Sequence, residues 1–233
     1  MSGRLTTEER AAAGLAPSGL VVGGRRVAVP GVSVVSWLDD PKRAPRVTDG
    51  RARTKAPTAI ILHTSRGMRG NVREGSRASE RAEVLARYQA RTEREVSWHL
   101  TVDTDGDVLQ QADAALWTCW HAGHANGWTI GIEMVQHPDT GDLWRAQIDA
   151  TVAVVSALCD ALAIPRRVPV GADGAPTLAL VPSWQSTKAQ GGKATQWPGV
   201  LGHCHITTSR GPGDPGAGVF AALLAAGFEG VRP

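Results

Sequence analysis

The sequence predicts an α/β domain, and three features carry that reading. Short runs rich in β-branched and apolar residues, suited to buried strands, recur at TAIIL from Thr58, TIGIEMVQ from Thr129 and GVLGH up to His203. Between them stand segments with helical spacing, above all Ile148, Val152, Val155, Cys159 and Leu162 at three- and four-residue steps. Alternation of the two patterns is the signature of an α/β domain.

Taken in order, residues 1–56 are rich in Gly, Pro and Arg and hold one short apolar run, Val32 to Leu38, which reads as an extension wrapped on a domain spanning 57–230. TAIIL then ends on His63, at the end of a strand, where a side chain can enter a cleft. Ser76 to Arg94 carries Leu85 and Tyr88 among many charges and predicts a helix with a wet outer face over one sheet edge. SWHLTVD and DVLQQA flank Thr104-Asp105-Gly106 and predict a hairpin, since Asp-Gly tolerates positive backbone angles. The strand from Thr129 and the long helix through Leu162 follow. Residues 165–198, including SWQSTKAQGGKATQW, form a polar insertion too long for a simple connection. GVLGH supplies the last short strand, and DPGAGVFAALLAAGF opens on Asp-Pro and supplies an apolar final helix.

A chain of 233 residues with 42% hydrophobic content buries a sizeable core without a partner. The net charge of +3 and isoelectric point near 9.0 suit an anionic polymer without requiring nucleic acid, and the Arg-rich stretch Arg43 to Arg53 carries no docking motif. Cys119, Cys159 and Cys204 have no paired spacing, which argues against a disulfide scaffold and for a reducing compartment. No run is apolar enough for a signal-peptide core or a membrane helix.

Three polar residues sit where strands end or a helix begins: His63, His203 and Asp214. Two imidazoles and a carboxylate suit tetrahedral zinc and leave a fourth position for water. Zinc lowers the pKa of bound water from about 15.7 to about 7 and polarises carbonyl oxygens, so such a site serves hydrolysis. Spacing alone does not require it, because 140 residues separate the two histidines and no HExxH helix pairs them. A lone strand-end histidine is more often a hydrogen-bonded rim residue, and Asp before Pro-Gly is more often a helix cap.

The segments AIILHTS, SWHLTVDTDGDVLQQ, WHAGHANGWTIGIEMV and GVLGHCHI, followed by GDPG, resemble in sequence and order those of type 2 N-acetylmuramoyl-L-alanine amidases, over about residues 58 to 227. That family shares its fold with peptidoglycan recognition proteins. The resemblance implies a mixed central β-sheet flanked by helices. It further implies a Zn2+ cofactor on His63, His203 and Asp214, and hydrolysis of the amide between N-acetylmuramic acid and the L-alanine of the stem peptide. Peptidoglycan or a muropeptide is then the partner.

Glu133 alternates with Ile132 and Met134, so on a strand it faces away from them, into a cavity or onto a surface. A solvated strand-face glutamate is the plain alternative. The shared IGIE context implies instead a catalytic residue that takes a proton from water and passes it to the leaving amine. Many family members carry a Lys two residues before the last ligand, where this chain has Pro212. The expected substitute cation is Arg210, with Lys188 and Lys193 of the insertion as alternatives. Eleven residues separate His203 from Asp214, a longer interval than in many relatives, which makes His205 the reserve ligand.

In WHAGHAN the resemblance implies substrate contacts for His121 and Asn126, and Trp120 is the aromatic expected to meet a sugar ring. His124 reads equally as structural, and His99 as an orienting or packing residue of the hairpin. Trp117 and Trp128 read as buried packing. Cys159 reads as core. Cys204 points away from a metal held by its neighbour His203, because adjacent strand residues face opposite sides.

Without a signal-peptide core, the chain reads as made in the cytoplasm and acting on the cell wall if another protein releases it, in the manner of a phage-type lytic enzyme. A cytoplasmic muropeptide-recycling amidase and a non-catalytic peptidoglycan-recognition module are the alternatives. The expectation is a monomer with no membrane insertion and no nucleic-acid partner.

Overall fold

The computed structural model describes residues 19–39, 50–65, 79–135, 143–181, 197–207, 210–211 and 213–233. The first elements among the described residues are β1 (Leu20–Val22), β2 (Arg25–Val27), β3 (Val34–Ser36), β4 (Gly50–Ala52) and β5 (Ala59–Thr64). Helix α1 (Ser79–Arg91) is followed by β6 (Leu100–Val102), β7 (Val108–Gln110), β8 (Trp117–Cys119) and β9 (Thr129–Met134). Then come α2 (Arg145–Leu162), β10 (Arg167–Pro169), β11 (Gly199–Gly202), α3 (Ala217–Ala225) and β12 (Glu229–Val231).

Every residue of β5 is buried, as a continuous apolar run must be when both its faces are covered. It pairs in parallel with β9 on one side and β11 on the other. β9 is also parallel to β6, which turns back antiparallel into β7. With β3 parallel to β7 at the far edge, the six strands run β11-β5-β9-β6-β7-β3. This is the mixed central sheet the sequence led us to expect. Gly106 closes the β6–β7 hairpin at φ 88°, and a Cβ there would lie 2.7 Å from the Ala146 carbonyl oxygen. Conformation and space both demand glycine.

Alternation along β5 sends Ile60 and Leu62 to one face and Ala59, Ile61 and His63 to the other. On the first face Ile60, Leu62, Ile130 and Ile132 pack with Val154, Val155 and Leu158 of α2 and Val219, Phe220 and Leu223 of α3. Each such side chain contributes about 1.5–3 kcal/mol of burial. On the second face Ala59 and Ile61 meet Ala122, Ala125, Trp128 and Leu201, while Ala82 and Ala86 of α1 cover Leu109. Gln89 ties α1 to the sheet: its amide donates to the Trp98 carbonyl at 3.2 Å and accepts from the Trp98 N–H at 3.3 Å. The second face lies open between α1 and the turn at 120–128, and there the ends of β5 and β9 emerge.

The segment before residue 57 does more than wrap the domain. It supplies the edge strand β3, the buried side chains of Leu20 and Val34, and β4, which pairs with β8. Residues 182–196 of the polar insertion lie outside the described residues. Among the described residues no helix is long and apolar enough to cross a membrane.

Candidate active site

His63 is the penultimate residue of β5, and His203 follows β11 directly. Because β5 and β11 are parallel neighbours, both histidines arrive at the carboxyl edge of the sheet, where α/β folds place their ligands. His63 Nδ1 and His203 Nδ1 lie 2.9 Å apart, and Asp214 Oδ2 lies 3.6 Å from His203 Nδ1. One ligand atom from each of the three residues falls within 4.8 Å of the others. Two imidazole lone pairs do not face one another at 2.9 Å without a proton or a cation between them. A cation with bonds of about 2.0–2.2 Å to nitrogen and oxygen suits this donor set, so the residues present fit zinc. Burial, then the neighbouring His203, His121 and Arg210, hold the pKa of His63 well below its ordinary value. The ring is therefore neutral, as a metal ligand must be.

Asp214, 1% exposed, is not a helix cap: the N-cap of α3 is Gly216, with no side-chain cap bond. Its Oδ1 instead accepts the Thr64 backbone N–H at 2.8 Å, and its carbonyl accepts the Cys204 N–H at 3.1 Å. Oδ2 is thereby turned toward His203. The reserve ligand His205 is committed elsewhere. Its Nδ1 accepts the Gly202 N–H at 2.8 Å, its Nε2 donates to the Thr177 carbonyl at 2.7 Å, and burial lowers its pKa to about 4. Cys204 is buried and stands outside the cluster.

Glu133 is the register partner of His63 across the β5–β9 pair, on the same open face. The two line a cavity of about 790 Å³ with Trp98, Trp120, Arg210 and Asp214, which Val84 and Tyr88 of α1 wall on one side. Desolvation, then the Asp214 carboxylate, push the Glu133 carboxyl up to about 8 against the pull of Arg210. Arg210 Nη1 stands 3.8 Å from Asp214 Oδ2. The expected substitute cation is thus in the cavity, while Pro212, Lys188 and Lys193 lie outside the described residues.

Of the residues expected to touch substrate, half-buried Trp120 lines the cavity, with the Arg51 guanidinium 5.7 Å from its ring centroid. His121 also borders the cavity, but both its ring nitrogens are engaged within the protein. Nδ1 lies 2.9 Å from His63 Nε2, and Nε2 lies 3.2 Å from Thr129 Oγ1. Asn126 is buried and braces the turn, its Oδ1 accepting the backbone N–H groups of His121 and Ala122 at 2.9 and 2.6 Å. His124 is exposed, whereas His99 is fully buried, its Nδ1 accepting the Gly131 N–H at 3.0 Å and its Nε2 lying 2.9 Å from the Trp117 carbonyl.

Sequence reasoning missed Thr64, Gly131 and Arg53. Arg53 bonds the carbonyls of Ala114 and Thr129 at 3.2 and 2.5 Å and approaches His99 Nε2 at 3.1 Å; burial lowers its pKa to about 10. Gly131 had a visible signal, a glycine inside a strand, which marks close approach of another group.

A family model described as N-acetylmuramoyl-L-alanine amidase matches residues 53–217. No curated protein matches. Among solved structures, the endolysin of Thermus scotoductus MAT2119 bacteriophage Ph2119 is 18% identical over 84% of this chain and 99% of its own, with a TM-score of 0.49. LysCS, described as an endolysin N-acetylmuramoyl-L-alanine amidase from Clostridium intestinale URNW, is 12% identical over 86% and 97%, with a TM-score of 0.46. PlyL is 24% identical over 49% of this chain, with a TM-score of 0.39, and the match spans 66% of PlyL's own length. With TM-scores below 0.5, none of these likenesses bears on the assignment. The family model covers most of the 233 residues and does: this chain belongs to the N-acetylmuramoyl-L-alanine amidase family and is an amidase.

Proposed function

We propose that the chain is a zinc hydrolase that cleaves the amide between N-acetylmuramic acid and the L-alanine of the stem peptide. The observation that carries this is the convergence of His63, His203 and Asp214 at the cavity that Glu133 enters from the neighbouring strand. In this reading the three residues hold Zn2+, which when bound supplies a Lewis acid that acidifies water and polarises a carbonyl. Glu133 takes a proton from the attacking water on its carboxylate and returns it to the amine nitrogen that leaves, a double duty suited to a pKa near neutrality. Arg210 meets the negative charge that develops on the carbonyl oxygen. Trp120, with Val84 and Tyr88 across the cavity, offers apolar surface to a sugar ring or peptide.

The natural setting we infer is the intact wall, cut by a phage-type lytic enzyme or wall hydrolase. Mass spectrometry of purified peptidoglycan digested with and without a zinc chelator tests the reading. The expected products are free stem peptides beginning at L-alanine, lost on chelation and restored by added Zn2+. Glycan fragments instead would overturn it. Activity on soluble muropeptides but not on sacculi would assign the recycling role, and stoichiometric zinc without any product would assign a recognition module.

A further inference from the structure

We propose that His121 is a positioning residue that fixes the tautomer of His63, so that the Nδ1 lone pair of His63 faces His203 and Asp214. The inference rests on the metal reading of those three residues and follows from counting protons along one chain of contacts. Thr129 Oγ1 donates its single proton to the Ala125 carbonyl at 2.8 Å. Toward His121 it can then only accept, so the His121 Nε2 that lies 3.2 Å away carries the hydrogen. A neutral imidazole has one such hydrogen, which leaves His121 Nδ1 as a bare acceptor. That acceptor lies 2.9 Å from His63 Nε2, which must supply the proton. His63 Nδ1 is left bare, and it is this atom that stands 2.9 Å from His203 Nδ1. A carbonyl oxygen at the loop thus dictates, through a hydroxyl and an imidazole, which nitrogen of His63 is free to bind a cation. Outer partners of this kind orient ligating histidines and raise their basicity.

The ring of His121 is held for this task. Its backbone N–H is bonded by Asn126 Oδ1 at 2.9 Å, and its ring meets that of His99 edge-on with centroids 5.8 Å apart. The ring also lies against the bare α-carbon of Gly131, where a Cβ would come within 2.6 Å of His121 Cγ. Substrate contact does not explain this packing, whereas a fixed acceptor for His63 does.

Zinc affinity of the full chain, measured by competition with a chromophoric chelator, tests the proposal without an activity readout. His121→Phe keeps a ring but loses the acceptor, and its affinity is expected to fall about 10- to 100-fold. His121→Asn returns an oxygen near the Nδ1 position and is expected to bind zinc close to wild type. Equal affinity in wild type and His121→Phe overturns the positioning role and leaves the metal reading intact; a wild type that binds no zinc overturns both. Should His121→Phe not fold, long-range proton–nitrogen correlation spectra of the metal-free wild type need no variant. A His63 ring protonated at Nε2 is expected, and one protonated at Nδ1 overturns the proposal.

Discussion

His63 and Glu133 are register partners on neighbouring parallel strands, so the candidate ligand and the candidate proton carrier leave the sheet side by side on one face. Their spacing is set by strand pairing, about 4.8 Å between backbones, and not by a loop. A site built on paired strands holds its geometry better than one hung on connections.

Glu133→Gln removes the candidate proton carrier with little change of shape. Hydrolysis of purified peptidoglycan is expected to fall about 10²- to 10⁴-fold with zinc content unchanged. The metal-free variant is expected to be more stable than wild type. The folded pKa of about 8 stands above the ordinary 4.5, so the wild type loses stability as pH rises from 4.5 through 8, and the variant does not. Melting curves should coincide below pH 4.5 and separate toward pH 8; a wild type that melts higher at pH 8 would contradict the burial argument.

Asp214 serves two partners, and two substitutions separate them. Asp214→Ala leaves the buried Thr64 N–H without its acceptor, at a cost of about 1–3 kcal/mol, and weakens zinc binding. Asp214→Asn keeps an oxygen for Thr64 and is expected to lose zinc with a smaller stability change. Denaturant midpoints and zinc titrations read the two effects, and identical midpoints for both variants would refute the separation.

Gly131→Ala tests the packing beneath His121 from the far side. The added methyl would drive the imidazole off its seat, so zinc affinity is expected to fall although position 131 is neither a candidate ligand nor part of the cavity wall. Chelator competition on the folded variant decides it, and unchanged affinity would show that the ring has room to adjust.

Arg210→Ala is expected to lower turnover about 10²- to 10³-fold while zinc stays stoichiometric. Lys188→Ala and Lys193→Ala are the controls. A loss confined to either lysine variant would move the oxyanion role to the insertion.

Acid should unfold the protein through its buried imidazoles. His99 and His205 have folded pKa values near 3 and 4 against an ordinary 6.5. Their stabilisation is complete above pH 6.5 and drains away as pH falls toward those values, by about 1.4 kcal/mol per unit for each histidine. Urea midpoints between about pH 7 and 4.5 should show the slope, and it should be shallower in His205→Gln.

The sheet was legible because its signals are local. The apolar runs of β5 and β9, the Asp-Gly hairpin turn and the helical stripe of α2 each announce themselves within a short stretch of sequence. Of the candidate site, His63, His203 and Glu133 were legible as residues near the ends of their elements, and the structure brings them to one cavity. The role of Asp214 depends on Thr64, 150 residues away, and local capping preference pointed elsewhere. His121 shows the same limit, since its motif does not reveal that both ring nitrogens meet partners within the protein. β3 was hidden because three residues at a sheet edge, followed by a charged stretch, look no different from an apolar patch in an extension.

The two histidines of the cluster lie 140 residues apart, and β11, which carries the second to the site, is added to the sheet after every other central strand has been synthesised. A chain emerging from the ribosome can pair β5, β9 and β6 while His63 still has no second ligand opposite it. Bringing the two histidines together costs loop-closure entropy, which grows only slowly with the length of the loop. In the zinc reading, the second ligand therefore reaches the site only with the last strand of the central sheet.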